Sequence, residues 1–346
     1  MADVGKGTSS ILSISSLTKR FGKTTAVDDI SLEIPEGEFF TIVGPSGSGK
    51  TTLIRILAGL EQPDNGQVAL RGKDLTGVPA NSRPTCMVFQ SLALFRHMTV
   101  GENVEFSQKV RGISAAERRE HALANLRLVR LPTDYYDRKV TQCSGGEQQR
   151  VALARALASD PEILFFDEPL AAIDYRLRKI LEVEMKEIHR RTGKTFIYIT
   201  HSLEEAMVMS DRIAIMRDGR LVQIGTPAEI YHQPASRFVA QFMGEVNIFT
   251  ASGGRIVELD AEHENLADGY LVVRPEHVRP GTINADVSFE ARIESTFMLG
   301  SRSHYHLRVG ENLVIAELPD SEARGLFSGE SSRWGFRLSD SAALED

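Results

Sequence analysis

The apolar positions in the first two thirds of the chain fall into two alternating kinds of segment. "FFTIVG" (39–44), "EILFFD" (162–167) and "TFIYIT" (195–200) are short, rich in branched and aromatic residues and bounded by breakers, the pattern of buried strands. Each leads into a helical stretch, which predicts a parallel sheet joined by crossovers. The segment before them, "ILSISSLTKRFGKTTAVDDISLEIPEGE", alternates differently and carries turn residues, so antiparallel strands are expected alongside. Residues from about 91 to 142, including "SAAERREHALANLRLVR", read as mostly helical and charged, an insertion between core strands. After "YHQPASRFVAQFMGE" the pattern changes to short alternating runs such as "YLVVRPEHV", "HYHLRV" and "NLVIAELP", with Gly and Pro between them. That predicts a small all-β domain. The expected division is a first domain of residues 1–240 and a second of residues 241–346.

Composition narrows the function without deciding it. A chain of 346 residues has the length for roughly two domains of about 150 residues each. With 42% hydrophobic residues, 25% charged residues and a formal net charge of -7, it lacks the basic excess of a nucleic-acid binder. The two cysteines, Cys86 and Cys143, are too few for a disulfide framework and are not spaced as metal ligands, which predicts a reducing compartment. The opening "MADVGKGTSSILSIS" lacks the charged start and apolar core of a signal peptide. No apolar run approaches the ~18 residues that span a bilayer. A cytosolic chain is therefore expected, reaching a membrane only through a partner.

The chemistry is concentrated in "GPSGSGKTT", Gly44 to Thr52, which fits G-x-x-x-x-G-K-[ST] between a strand and a helix. Through Gly44, Pro45, Ser46, Gly47, Ser48 and Gly49 the backbone can curl so that its N–H groups point at phosphate oxygens, and the following helix adds its positive end. Lys50 is placed to reach the β- and γ-phosphates of ATP, and Thr51, followed by Thr52, to offer a hydroxyl to Mg²⁺. "ILFFDEP" supplies the other half. Asp167 at the strand end is suited to hold Mg²⁺ through water, and Glu168 to polarise the attacking water as general base. The pair predicts hydrolysis as well as binding. The fold class is α/β: a P-loop NTPase core with antiparallel and helical subdomains, plus the C-terminal all-β, OB-like domain.

A second candidate anion site lies in "QCSGGEQQR" (142–150), where Ser144, Gly145 and Gly146 open a helical pattern. The same letters fit a capping box, with Ser144 capping the helix and Glu147 reaching back. Three further residues carry weaker signals: Gln90 after "CMVF", His201 after "TFIYIT", and Phe21 as a candidate adenine platform. By spacing alone Gln90 reads as a surface amide, His201 as a capping or packing residue, and Phe21 as a core ring.

Taken in order, Gly44–Thr52, Gln90, "SGGEQQR", "FFDEP", "AAID" and "THSLEEA" resemble the ATP-binding cassette family over about two thirds of the chain. The resemblance implies a head-to-tail pair of subunits with two ATPs between them, Ser144, Gly145 and Gly146 completing the site of the opposite subunit. It implies that Gln90 touches Mg²⁺ and senses the γ-phosphate, that Phe21 stacks on adenine, that His201 contacts the γ-phosphate, and that Asp174 sits in a loop crossing the interface. Three positions depart from the family pattern: Cys143 for leucine, Glu147 for glutamine, and "AAID" for Ser-Ala-Leu-Asp.

One cassette with no heptad run and no fused membrane segment points away from soluble cassette proteins and exporters, and toward the separate ATPase of an importer. The stretches "FVAQFMGEVNIF", "VVRPEHVRP" and "FMLGSRSHYHLRV" are similar to the accessory β domain (TOBE-like) of importer ATPases. "FMGEVNIF" and "RPEHV" look most like ATPases of the spermidine/putrescine importer group, with ferric iron, phosphonate, sulfate and sugar importers as alternatives. The resemblance also implies two membrane permease subunits, an external substrate-binding protein, and a peripheral place on the cytoplasmic face of the inner membrane.

Overall fold

In the computed structural model, which describes residues 10–171, 173–264, 266–281, 285–323 and 325–344, the chain divides into two compact units, Met1–Pro227 and Ala228–Asp346. Residues 1–9, which carry most of the leader reading, and Ala172 of the "AAID" stretch lie outside the described residues.

The first unit opens with β1 (Ser10–Phe21) and β2 (Thr24–Pro35), an antiparallel pair. It continues through β3 (Phe39–Val43), α1 (Lys50–Leu57), β4 (Asn65–Leu70), β5 (Lys73–Asp74) and β6 (Thr85–Val88). Next come α2 (Val100–Val110), α3 (Ala115–Leu128), α4 (Gly145–Ala158), β7 (Ile163–Asp167), α5 (Tyr175–Thr192), β8 (Thr195–Ile199), α6 (Leu203–Met209), β9 (Arg212–Arg217) and β10 (Arg220–Gly225). The central sheet runs β10-β9-β3-β8-β7-β6, parallel from β9 to β6, while β2-β1-β4-β5 form a separate antiparallel sheet.

Alternation along the central strands feeds two cores. Phe39, Leu164, Phe166, Phe196 and Tyr198 face the side packed by α2, α3, α4 and α5, whereas Phe40, Ile42, Ile163, Phe165, Ile197 and Ile199 face α1 and the antiparallel sheet. A parallel strand covered on both faces has no polar side to show, which is why these runs carry no polar alternation. The expected insertion is helical over α2 and α3. Its approach from β6 is irregular, with Leu92 and Ala93 at φ 60° and 45°.

The division falls at the first residue of α7 (Pro227–His232); α8 (Arg237–Phe242) follows, and the rest of the second unit is mainly β. Its strands are β11 (Asn247–Ser252), β12 (Arg255–Ile256), β13 (Ala261–Glu262), β14 (Gly269–Val273), β15 (Arg279–Pro280), β16 (Val287–Met298), β17 (Arg302–Val309), β18 (Asn312–Pro319), β19 (Ser331–Phe336) and β20 (Ser341–Leu344). They form two sheets, β13-β12-β11-β14-β20 and β15-β19-β16-β17-β18, over a core that includes Trp334, Tyr305, Phe289 and Phe336. The Asn247 side-chain amide binds the Ile315 carbonyl and N–H, each at 2.8 Å, and so ties one sheet to the other. The structural division stands N-terminal to the compositional one at 240/241. Ala240 of α8 packs with Val272 and Leu344, and its carbonyl accepts from the buried Arg274 guanidinium at 2.9 Å.

Candidate nucleotide site

The ends of β3, β7 and β8 meet at one edge of the central sheet, the edge where open parallel sheets place their ligands. There Ser46, Gly47, Gly49, Lys50, Thr51 and Thr52 line a cleft of about 500 Å³ together with Glu168, His201 and Ala26. The loop's shape depends on glycine at two points. A Cβ on Gly44 would lie 2.1 Å from the Met216 carbonyl oxygen, and one on Gly49, at φ +100°, would lie 1.9 Å from that of Ala26. Lys50 is buried at the start of α1, and its ammonium donates to the carbonyls of Gly44 and Pro45 at 2.8 and 2.9 Å and to Ser48 Oγ at 3.3 Å. Burial pulls the Lys50 amine below its ordinary range, opposed by the charges of Glu168 and Asp167.

Asp167 ends β7 paired with Ile199 of β8, so the residues beyond these two strands emerge side by side. Burial, and next the neighbouring Glu168 carboxylate, push the Asp167 carboxyl up; Arg55 and Lys50 oppose this. Glu168 turns out of the strand at φ +46°, its N–H held by the Ile199 carbonyl at 3.0 Å. Its Oε2 lies 3.0 Å from Nδ1 of His201. Acid and histidine thus form one unit, facing the phosphate loop across the cleft.

Gln90 is exposed in the turn after β6. Since Val88 pairs with Phe166, Gln90 and Glu168 each lie two residues beyond the paired ends of adjacent strands. Phe21, at the end of β1, is half exposed, with the Lys19 ammonium 5.2 Å from its ring centre. It is therefore no core ring.

Ser144, Gly145, Gly146 and Asp174 form no part of the cleft lining. Ser144 caps α4 in the expected box: its Oγ accepts from the Glu147 N–H at 3.4 Å, and Glu147 Oε2 accepts from the Ser144 N–H at 2.7 Å. The Tyr135 hydroxyl fixes the other carboxylate oxygen at 2.9 Å. Gly145 is exposed, and a Cβ there would meet only the Ile173 methyl at 3.9 Å, whereas Gly146 packs closely on Leu177. Asp174 caps α5 by accepting from the Leu177 N–H at 3.0 Å.

Comparison with known proteins fits this geometry. A family model described as ABC transporter matches residues 27–171, and one described as TOBE domain matches residues 271–338. The spermidine/putrescine import ATP-binding protein PotA of Thermobifida fusca is 46% identical over 341 residues, covering 92% of this chain and 88% of that protein. The protein of the same name from Bacillus cereus is 40% identical over 339 residues, covering 96% and 99%. The chain belongs to the ABC transporter family.

Among solved ABC transporter cassettes, the dimeric bacterial cassette MJ0796 is 32% identical with a TM-score of 0.56, covering 62% of this chain and 98% of that one. The ADP conformation of the cassette MJ1267 is 28% identical with a TM-score of 0.60, covering 69% and 100%. The ABC transporter match accounts for the phosphate loop and β7; the TOBE match falls within the β unit. Sequence reasoning missed Ala26, which lines the cleft with its carbonyl oxygen against Gly49, and Tyr135, which holds Glu147. Neither carries a local signal, because each acts through a tertiary contact.

Proposed function

We propose that this ABC transporter ATPase hydrolyses ATP to power polyamine (spermidine/putrescine) import through two membrane permease subunits fed by an external substrate-binding protein. The assignment of cargo is supported by PotA relatives at 40 to 46% identity along nearly the whole chain. The single observation that carries hydrolysis is the Glu168–His201 pair facing the phosphate loop across one cleft. No helix among the described residues is long and apolar enough to cross a membrane. Peripheral attachment through the permease subunits, on the cytoplasmic face, fits that.

In this reading Lys50 and the N–H groups from Gly44 to Thr52 bind the phosphates of ATP, and Phe21 stacks on the adenine. The Thr51 hydroxyl and the half-buried Asp167 carboxylate are hard oxygen donors suited to Mg²⁺, and the exposed Gln90 amide is a third candidate ligand. Bound there, Mg²⁺ supplies charge neutralisation on the phosphates. Glu168 accepts a proton from the attacking water, and His201, hydrogen-bonded to it, fixes the carboxylate and faces the γ-phosphate. A second copy contributes Ser144, Gly145 and Gly146 from its α4 terminus, with Asp174 at the same interface. Glu147 is turned back onto its own helix, away from an incoming phosphate.

Glu168→Gln tests the hydrolytic core. The variant is expected to bind ATP and to accumulate as an ATP-dependent dimer with turnover lowered at least about a hundredfold, in the range of a lost general base. A variant that turns over at the normal rate contradicts the assignment.

A further inference from the structure

Glu205, in α6, is 3% exposed and belongs to a ring of contacts of which the steps above use only the Glu168–His201 pair. Its Oε2 accepts from the Tyr198 hydroxyl at 2.8 Å and the Thr200 hydroxyl at 2.7 Å. Thr200 immediately precedes His201, and its Oγ1 also accepts from the Ser202 N–H at 2.9 Å, so Glu205 grips the turn that presents the histidine. The other carboxylate oxygen faces Arg178 Nε of α5 at 3.8 Å. Arg178 Nη2 donates to the Ile173 carbonyl at 2.9 Å, one residue before Asp174. Ile173 N–H in turn bonds the Leu170 carbonyl at 3.1 Å, in the segment that begins at Glu168. The Glu168–His201 contact closes the ring.

One link in this ring is unfinished. Arg178 Nε is buried and makes no hydrogen bond, although it lies within about an ångström of a charge-assisted bond to Glu205. A buried donor left short of its partner favours any movement that brings the two together.

We propose that Arg178 and Glu205 are a positioning pair that couples the loop carrying Asp174 to the turn carrying His201 within one subunit. When that loop moves, Arg178 moves with the Ile173 carbonyl, the ion pair tightens, and Glu205 shifts Thr200 and with it His201. The pair touches neither nucleotide nor water; it acts through His201, and to that extent rests on the role given to His201 above.

The test is Arg178→Gln in the full chain, followed by nitrogen NMR of the histidine rings, with His201 identified by the signal missing in His201→Ala. The expected result is a displaced or broadened His201 signal and turnover per folded protein lowered about tenfold, with ATP half-saturation near that of the unsubstituted chain and a lowered Tm, since Glu205 loses its buried counter-charge. Arg178→Lys keeps the charge near Glu205 but loses the fork to Ile173, so it should fall between the two. It also serves as the readout if Arg178→Gln does not fold. An unmoved His201 signal in a folded Arg178 variant overturns the pair, as does turnover lost only in proportion to folded protein. Full turnover in His201→Ala would instead remove the role assigned to His201; the ring signal still reports on the pair itself.

Discussion

Glu168 holds φ +46°, a left-handed conformation that costs a non-glycine residue on the order of 1 kcal/mol or more, and such strain gathers at functional sites. The surrounding contacts impose it: its N–H is bound by Ile199 and its carboxylate by His201. Glu147 shows a second carboxylate controlled by hydrogen bonds. The Ser144 N–H and the Tyr135 hydroxyl hold its carboxyl below the ordinary glutamate value of 4.5. Because the folded value is depressed, its stabilisation is present above that ordinary value and is lost as pH falls through the folded one. Glu147→Gln should therefore lower stability by about 1 kcal/mol at neutral pH, with the gap closing in acid. Thermal unfolding of both proteins between about pH 7 and pH 4 checks this, and a gap that stays constant contradicts it. The Ser144–Glu147 box was legible from spacing, whereas the Tyr135 contact was not, since it comes from a separate turn upstream of α4 with no fixed helical spacing to Glu147.

At the scale of elements, the start of α4 has an observed role as a capped helix end and a proposed one in the partner's site, which substitution can separate. Ser144 caps the helix, and its exposed terminus, with Gly145 open beside it, is the surface proposed to meet the partner's nucleotide. Ser144→Ala should weaken the cap by about 1 kcal/mol and leave ATP affinity of the isolated subunit within about twofold, while turnover of the assembled pair falls about tenfold or more. Titrating ATP binding and turnover on the same preparation decides the matter. Equal losses in both would remove the role in the opposite site. The parallel strands were readable because burial on both faces leaves an unbroken apolar run, as in Phe39–Val43. Which helix covers which face was not, since α5 carries an ordinary amphipathic pattern and its Arg178–Glu205 contact joins two separate helices.

For the whole molecule, the sequence's two-part pattern corresponds to two units, one with the nucleotide cleft and one almost entirely β. The division fell earlier than composition suggested because Ala240 of α8 packs into the β unit, a choice of partner that hydrophobic periodicity does not encode. Cargo belongs to this scale as well, since in the proposed reading it is met by other subunits. The most direct measurement is uptake of labelled spermidine and putrescine by cells lacking the chain, restored with either the natural protein or Glu168→Gln. Polyamine import should return with the natural protein and stay absent with Glu168→Gln. Uptake that is unchanged without the chain, or fully restored by Glu168→Gln, would contradict the account.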